Sequence, residues 1–291
     1  MMRCVAAFHA VIKGLQQEKP MKFDSNQAWR QASSAISANR DVALALAGVF
    51  FLLPGLAMAL FFPAPEPTVG LDREAAMALV SDYYLSILPV VLPMVLFQAA
   101  GTLALLTLLT DRTQPTVAQA IGYGLKGILP YFLAQLLLGV GIGVVGGLVL
   151  AVGAVTGVPV IAAIGIAVVA LLAIYAAIKT SLVSPVIAVE QERNPVAALR
   201  RSWALTSGNS VRIGIFYVLV AAAFLIIILI VTALVGILMA LFAEARTVEV
   251  VNAIVSSGIN AAMALYFVAI IAATHRQLAG PSPQAESETF N

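Results

Sequence analysis

Apolar positions in this chain gather into six long runs, and three of those runs follow directly on a stretch where apolar and polar residues alternate at helical spacing. About 20 apolar residues in a helix cover the roughly 30 Å hydrocarbon core of a bilayer. The runs fall at Val42–Phe62, Tyr84–Thr110, Leu129–Val152, Val160–Val183, Ile213–Phe242 and Val248–Thr274. Pro54 and Gly55 predict a kink in the first, and Pro89 and Pro93 interrupt the second. A short turn at Thr156-Gly157-Val158-Pro159 separates the third from the fourth. The alternating stretches start near Asp24, Pro115 and Asn194. The pattern predicts an all-α polytopic membrane protein. Its six transmembrane helices form three repeats of an amphipathic elbow helix followed by a transmembrane hairpin.

The elbows have the residues that begin and end short helices. In NPVAALRRSWALTSGN, Asn194 fits the N-cap, Pro195 the first helical position, and Gly208 a left-handed stop. Val196, Leu199 and Trp203 share one face, flanked by Arg200, Arg201 and Ser202. In PTVAQAIGYGLKGILP, Val117, Ile121, Leu125 and Ile128 form the apolar stripe, with Lys126 opposite. In FDSNQAWRQASSAISANR, Asp24 or Ser25 caps, and Trp29, Ala32 and Ile36 align. Trp29 and Trp203 are the only tryptophans, and an indole favours the headgroup level. Trp29, Lys126, Arg200, Arg201 and Trp203 are therefore the candidate lipid-facing residues. The competing reading packs the elbows against neighbouring helices with no role at the lipid surface.

Composition agrees with lipid as the main solvent. Of 291 residues, 61% are hydrophobic and 10% charged, and mean hydropathy is +1.00. A soluble domain carries roughly a quarter of its residues as charged types. A net charge of +2 gives no basis for nucleic-acid binding. One cysteine, Cys4, excludes an internal disulfide framework. His9 and His275, the two histidines, lie at opposite ends, so neither a histidine-centred metal site nor a cofactor is expected.

Charge also orients the helices. Arg3, Lys13, Lys19, Lys22, Arg30, Arg40, Arg112, Lys126, Lys179, Arg193, Arg200, Arg201, Arg212 and Arg276 fall on one side, and Arg73 and Arg246 on the other. Cytoplasmic segments carry the excess of Lys and Arg, so both termini are predicted to be cytoplasmic. Residues 1–20 read as a leader or as sequence upstream of a start at Met21. Residues 21–278 read as one membrane domain, and 279–291 as a disordered tail.

Within the membrane two stripes stand out. Gly139, Gly143 and Gly147 form a smooth face on the third span, suited first to close packing inside the chain and second to a seam between two copies. Asn252, Ser256 and Asn260 form a polar stripe on the sixth. With Gln98, Thr102 and Gln135 it is read as hydrogen-bonding glue between helices, with the lining of a polar cavity as the alternative. Asp82, Asp111, Glu190, Glu244 and Glu249 all lie near span ends, which counts against a proton- or sodium-coupled pump. Glu190 and Glu192 are placed to form a surface link with Arg200 or Arg201.

The run PVIAVEQERNPVAALRRSWALTSGN resembles the signature of a bacterial family named for the membrane domain of glycerophosphoryl diester phosphodiesterases. The matching positions are Pro185, Glu190, Ala198, Leu199, Ser202, Trp203, Leu205, Thr206 and Gly208. The resemblance implies a six-helix protein of the bacterial inner membrane. In such proteins the hydrolytic chemistry belongs to a separate soluble barrel, for which this sequence holds neither the length nor the histidines. The function expected is a non-catalytic scaffold or lipid-leaflet module, with membrane lipids and an unidentified protein as partners. The alternative is a passive transporter or channel for a small or lipid-like solute.

Overall fold

The computed structural model describes residues 22–65, 72–110, 116–242 and 245–280. The leader, the start at Met21, the acidic and basic residues at 111, 112 and 244, and the tail from 281 lie outside the described residues. Among those described, every regular element is helical. In chain order they are α1 (Ser25–Ala38), α2 (Arg40–Ala47), a π turn (Gly48–Leu52), α3 (Leu53–Phe61), α4 (Arg73–Thr110), α5 (Val117–Thr156), α6 (Pro159–Thr180), α7 (Val183–Ala188), α8 (Pro195–Thr206), α9 (Ser210–Phe242) and α10 (Ala245–Ala279). Six spans are long and apolar enough to cross a membrane: Arg40–Phe61, Glu74–Thr110, Val117–Gly153, Pro159–Ala188, Ser210–Met239 and Thr247–Ala279.

The first span changes its winding just before the proline that removes a backbone donor. Pro54 cannot bond the carbonyl four residues back, and its ring would strike it. The helix widens into the π turn immediately before, which relieves that clash. The widened turn pushes Phe50 onto the backbone of Gly101 in α4, so close that a side chain at Gly101 would overlap the ring. Here a glycine is required by close approach.

Residues 117–130 do not form a separate elbow. They are the first turns of α5, which continues through Pro130 to Thr156. The reason lies in its small residues. Ala120, Gly124 and Gly127 recur on one side and let α5 lie directly on α4, where a Cβ at Gly124 would stand 2.8 Å from the Ala100 carbonyl oxygen. Val117 and Leu125 of the apolar stripe are exposed. Lys126 is exposed beside them. Two elbows remain as discrete helices, α1 and α8.

The turn between the third and fourth spans falls at Gly157, with φ +65, followed by Pro159 at the start of α6. Helices α5 and α6 pack through Gly146 against Val169 and through Gly153 against Ala162. Gly139, Gly143 and Gly147 have nothing within 4 Å of a Cβ position, so the expected close packing of that stripe inside the chain is not what forms. The adjacent register carries the contact because it faces α6.

Packing is concentrated at one end. In the most apolar window of each span, 44% of residues are buried in α4 and 33% in α10, against 6% in α9, so α4 and α10 are the central helices. The core joins Leu103, Leu105 and Leu106 of α4 to Val186 and Ile187 of α7, Ile213 of α9, and Ala269, Ile270, Ala272 and Ala273 of α10. Helix α1 closes it with Ala28, Ala32 and Ile36. The far halves of α5, α6 and α9 present Val, Ile and Leu outward. Such surface suits lipid, which imposes no penalty on exposed apolar side chains.

Candidate functional site

The packed end of the molecule is built around the turn that links α6, α7 and α8. Helix α6 stops at Thr180, and α7 begins at Val183 after two intervening residues, so the carbonyls at one end and the amides at the other lack intrahelical partners. Ser202 of α8 supplies both. Its hydroxyl donates to the Lys179 carbonyl at 2.8 Å and accepts from the Leu182 amide at 3.2 Å, with the side chain fully buried. A buried backbone group left unpaired costs about 1–3 kcal/mol, which is why a hydroxyl belongs at this position. Thr206, one turn on and also fully buried, donates to the Ser202 carbonyl at 3.0 Å.

Helix α8 is defined at both ends by its sequence. The Asn194 side chain accepts from the Val196 and Ala197 amides at 2.9 and 3.3 Å, and Pro195 opens the helix. Gly208, with φ +81, takes the left-handed conformation that the exit requires. Lys179 is only 5% exposed. Its ammonium donates to Ser207 Oγ at 3.1 Å and lies 5.2 Å from the Trp203 ring centre and 5.7 Å from that of Tyr175. The two rings meet edge to face at 5.7 Å. Aromatic faces and a hydroxyl thus hold Lys179 inside.

Glu190 ties three segments together. It accepts from Arg201 Nε at 3.0 Å and from His275 Nε2 at 2.9 Å. His275 is 3% exposed, and its Nδ1 is buried without a hydrogen-bond partner among the described residues. A bare carboxylate can only accept, so the proton facing it sits on Nε2. Burial alone raises the Glu190 carboxyl, but the hydrogen bonds from His275 and Arg201 and the adjacent positive charge outweigh it, holding the group below its usual 4.5.

The N-terminal elbow is fastened to the same end. The Phe23 amide donates to Asn209 Oδ1 at 3.0 Å. Asp24 and Gln277 exchange two hydrogen bonds, each 3.1 Å, through the Asp24 backbone and the Gln277 amide group. Asp24 also caps α1, accepting from the Asn26 and Gln27 amides. Trp29 stacks on Tyr266 of α10 at 5.9 Å and remains 42% exposed. Beside it an apolar cavity of about 370 Å³ runs between α1 and α9, from Ser25 and Asn26 past Phe216 and Val220 to Ile227.

Of the residues singled out from sequence, Trp29, Arg200, Arg201 and Trp203 therefore lie at one end of the bundle and are exposed, joined there by Lys126 at the start of α5. Arg201 pairs with Glu190, whereas Arg200 makes no ion pair among the described residues. The polar set Gln98, Gln135, Asn252, Ser256 and Asn260 forms no shared network there. Gln135 is exposed and bonds Tyr131 of its own helix at 2.9 Å, and Ser256 bonds the Ala253 carbonyl at 3.3 Å. Asn252 and Asn260 are exposed, because the stripe lies on the flank of the packed side of α10. Sequence reasoning gave His275, Asn209 and Gln277 no role at this site, and marked Ser202 and Thr206 only as positions of the family resemblance. The Ser202/Thr206 pair at i, i+4 inside an otherwise amphipathic helix was a usable signal, while nothing local marked His275, 85 positions from Glu190.

Six helical spans long and apolar enough to cross a membrane make this a multi-pass α-helical membrane protein. Residues 152–279 match the family model for the membrane domain of glycerophosphoryl diester phosphodiesterase. The match takes in α6 to α10, hence the whole Ser202, Glu190 and His275 arrangement. No curated protein and no solved structure matches the chain significantly.

Proposed function

We propose that the protein is a non-catalytic module of the bacterial inner membrane that engages the cytoplasmic leaflet through its elbow end, with both termini cytoplasmic. The observation that carries this reading is the clustering, at one end of the bundle, of two exposed indoles with the exposed Lys126 and Arg200. Indole rings favour the headgroup level, and each basic residue near an anionic surface contributes about 1 kcal/mol. The Glu190 latch and the Ser202 caps hold α8 in place, so its charged and aromatic groups are presented on a fixed frame. The cavity between α1 and α9 adds a seat for an acyl chain, since its walls are mostly apolar, with Ser25 and Asn26 among them.

The test uses Lys126→Ala with Arg200→Ala, two exposed side chains that the fold does not need. The double variant is expected to keep its thermal stability in detergent and to lose preference for anionic over zwitterionic phospholipid in its bound lipid shell. An unchanged preference, or metal-dependent turnover of a glycerophosphodiester by the purified chain, would count decisively against this function.

A further inference from the structure

The polar stripe of α10 has a consequence independent of the elbows. Asn252, Ser256 and Asn260 each precede a core-facing residue, Ala253, Ser257 and Ala261, which are 7%, 3% and 5% exposed. One residue is about 100° around a helix, so the stripe lies on the flank of the packed face. Asn252 and Asn260 are exposed and make no side-chain hydrogen bond among the described residues. At 1.5 Å per residue, Asn260 stands about 24 Å along the helix from Arg276 and about 20 Å from Thr247, well inside a 30 Å hydrocarbon layer. An amide there faces lipid only at a cost, since lipid offers it no hydrogen bond. The open glycine face of α5 carries no such demand, because lipid can cover an apolar helix freely.

We infer that the flank of α10 carrying Asn252 and Asn260 is an interface with a second copy of this chain. An asparagine amide both donates and accepts, so the same stripe on a copy related by a two-fold axis completes it. The exposed flank then requires no partner of different chemistry. Asn260 is the anchor, since it lies deepest, and Asn252 extends the contact toward the membrane surface.

Donor- and acceptor-labelled chains carrying Cys4→Ser, mixed in phospholipid vesicles over a range of protein-to-lipid ratios, report this association by energy transfer. The wild-type residue at 260 and Asn260→Gln are expected to associate alike, and Asn260→Leu to weaken association about ten-fold, with helicity retained. A chain that stays monomeric at every ratio would overturn the inference, as would Asn260→Leu associating like wild type. Two further outcomes overturn it: loss of association on Gly139→Leu with Gly143→Leu but not on Asn260→Leu, or labelling of Asn260→Cys in the monomer by a membrane-impermeant thiol reagent. The last would mean that the stripe borders water.

Discussion

Glu190 shows how one side chain can make a fold depend on pH. Its carboxyl is held below the usual 4.5 by His275 and Arg201. A carboxyl lowered in the folded state contributes stability that is fully present above its ordinary value and is lost as pH falls through the lowered one. Glu190→Gln keeps the shape and removes the charge. At neutral pH it is expected to lower stability by about 1–2 kcal/mol, in the range of charged hydrogen bonds. Thermal unfolding in detergent at several pH values checks this: the gap between variant and parent should close on acidification below 4.5. A gap independent of pH would mean that the charge contributes nothing. Arg201 has a 45% exposed side chain, so its own share of the latch is small.

At the scale of the element, glycine matters by what stands opposite it. Gly124 faces the Ala100 carbonyl across the α4–α5 contact, and an added methyl would lie 2.8 Å from that oxygen. Backbone cannot yield as a flexible side chain can, so Gly124→Ala must push the two helices apart. It is expected to lower the melting temperature clearly, by a loss of about 1–3 kcal/mol. Gly139→Ala, with open space around it, should be neutral or stabilising by up to about 1 kcal/mol through helix propensity. Parallel thermal melts of the two variants separate these outcomes, and equal losses would refute the packing argument. The same contrast explains what was legible in the sequence. Hydropathy located all six spans and the Gly157 turn because length and apolarity are local properties. It could not tell which glycine face meets a neighbour, since Gly139, Gly143, Gly146 and Gly147 look alike until α6 is in place. Nor could it distinguish an elbow from the first turns of α5, because Pro130 marks a break in one setting and is tolerated in another.

For the whole molecule, the helices settle which ends lie together, and charge then selects a side. Helix α4 begins at Arg73 and ends beside the start of α5, where Lys126 is exposed. Lys22, Arg30, Arg193, Arg200, Arg201 and Arg212 belong to the same end, through the bonds of Phe23 to Asn209, of Asp24 to Gln277 and of Glu190 to His275. Reporters fused before Lys22 and after Gln277 should therefore both be active on the cytoplasmic side, and one placed beside Arg73 on the opposite side. A reporter after Gln277 that is active only outside the cytoplasm would invert the proposed orientation. The candidate site was legible only in part at this scale. Sequence proximity revealed Glu190 beside Arg201, but the third partner, His275, comes from the last helix.

The clasp between Asp24 and Gln277 spans 253 positions, and the Phe23 bond to Asn209 spans 186. At about 5–20 residues per second, a ribosome needs on the order of 10–50 s to travel from the first partner of the clasp to the second. Until Asn209 is made the N-terminal elbow has neither of these partners, and until Gln277 is made it lacks the clasp. Its Ala28, Ala32 and Ile36 face must wait on the membrane surface until α10 is inserted. The order of synthesis therefore gives the first elbow a long residence against lipid alone, and a nascent chain arrested before Gln277 would leave that face undocked.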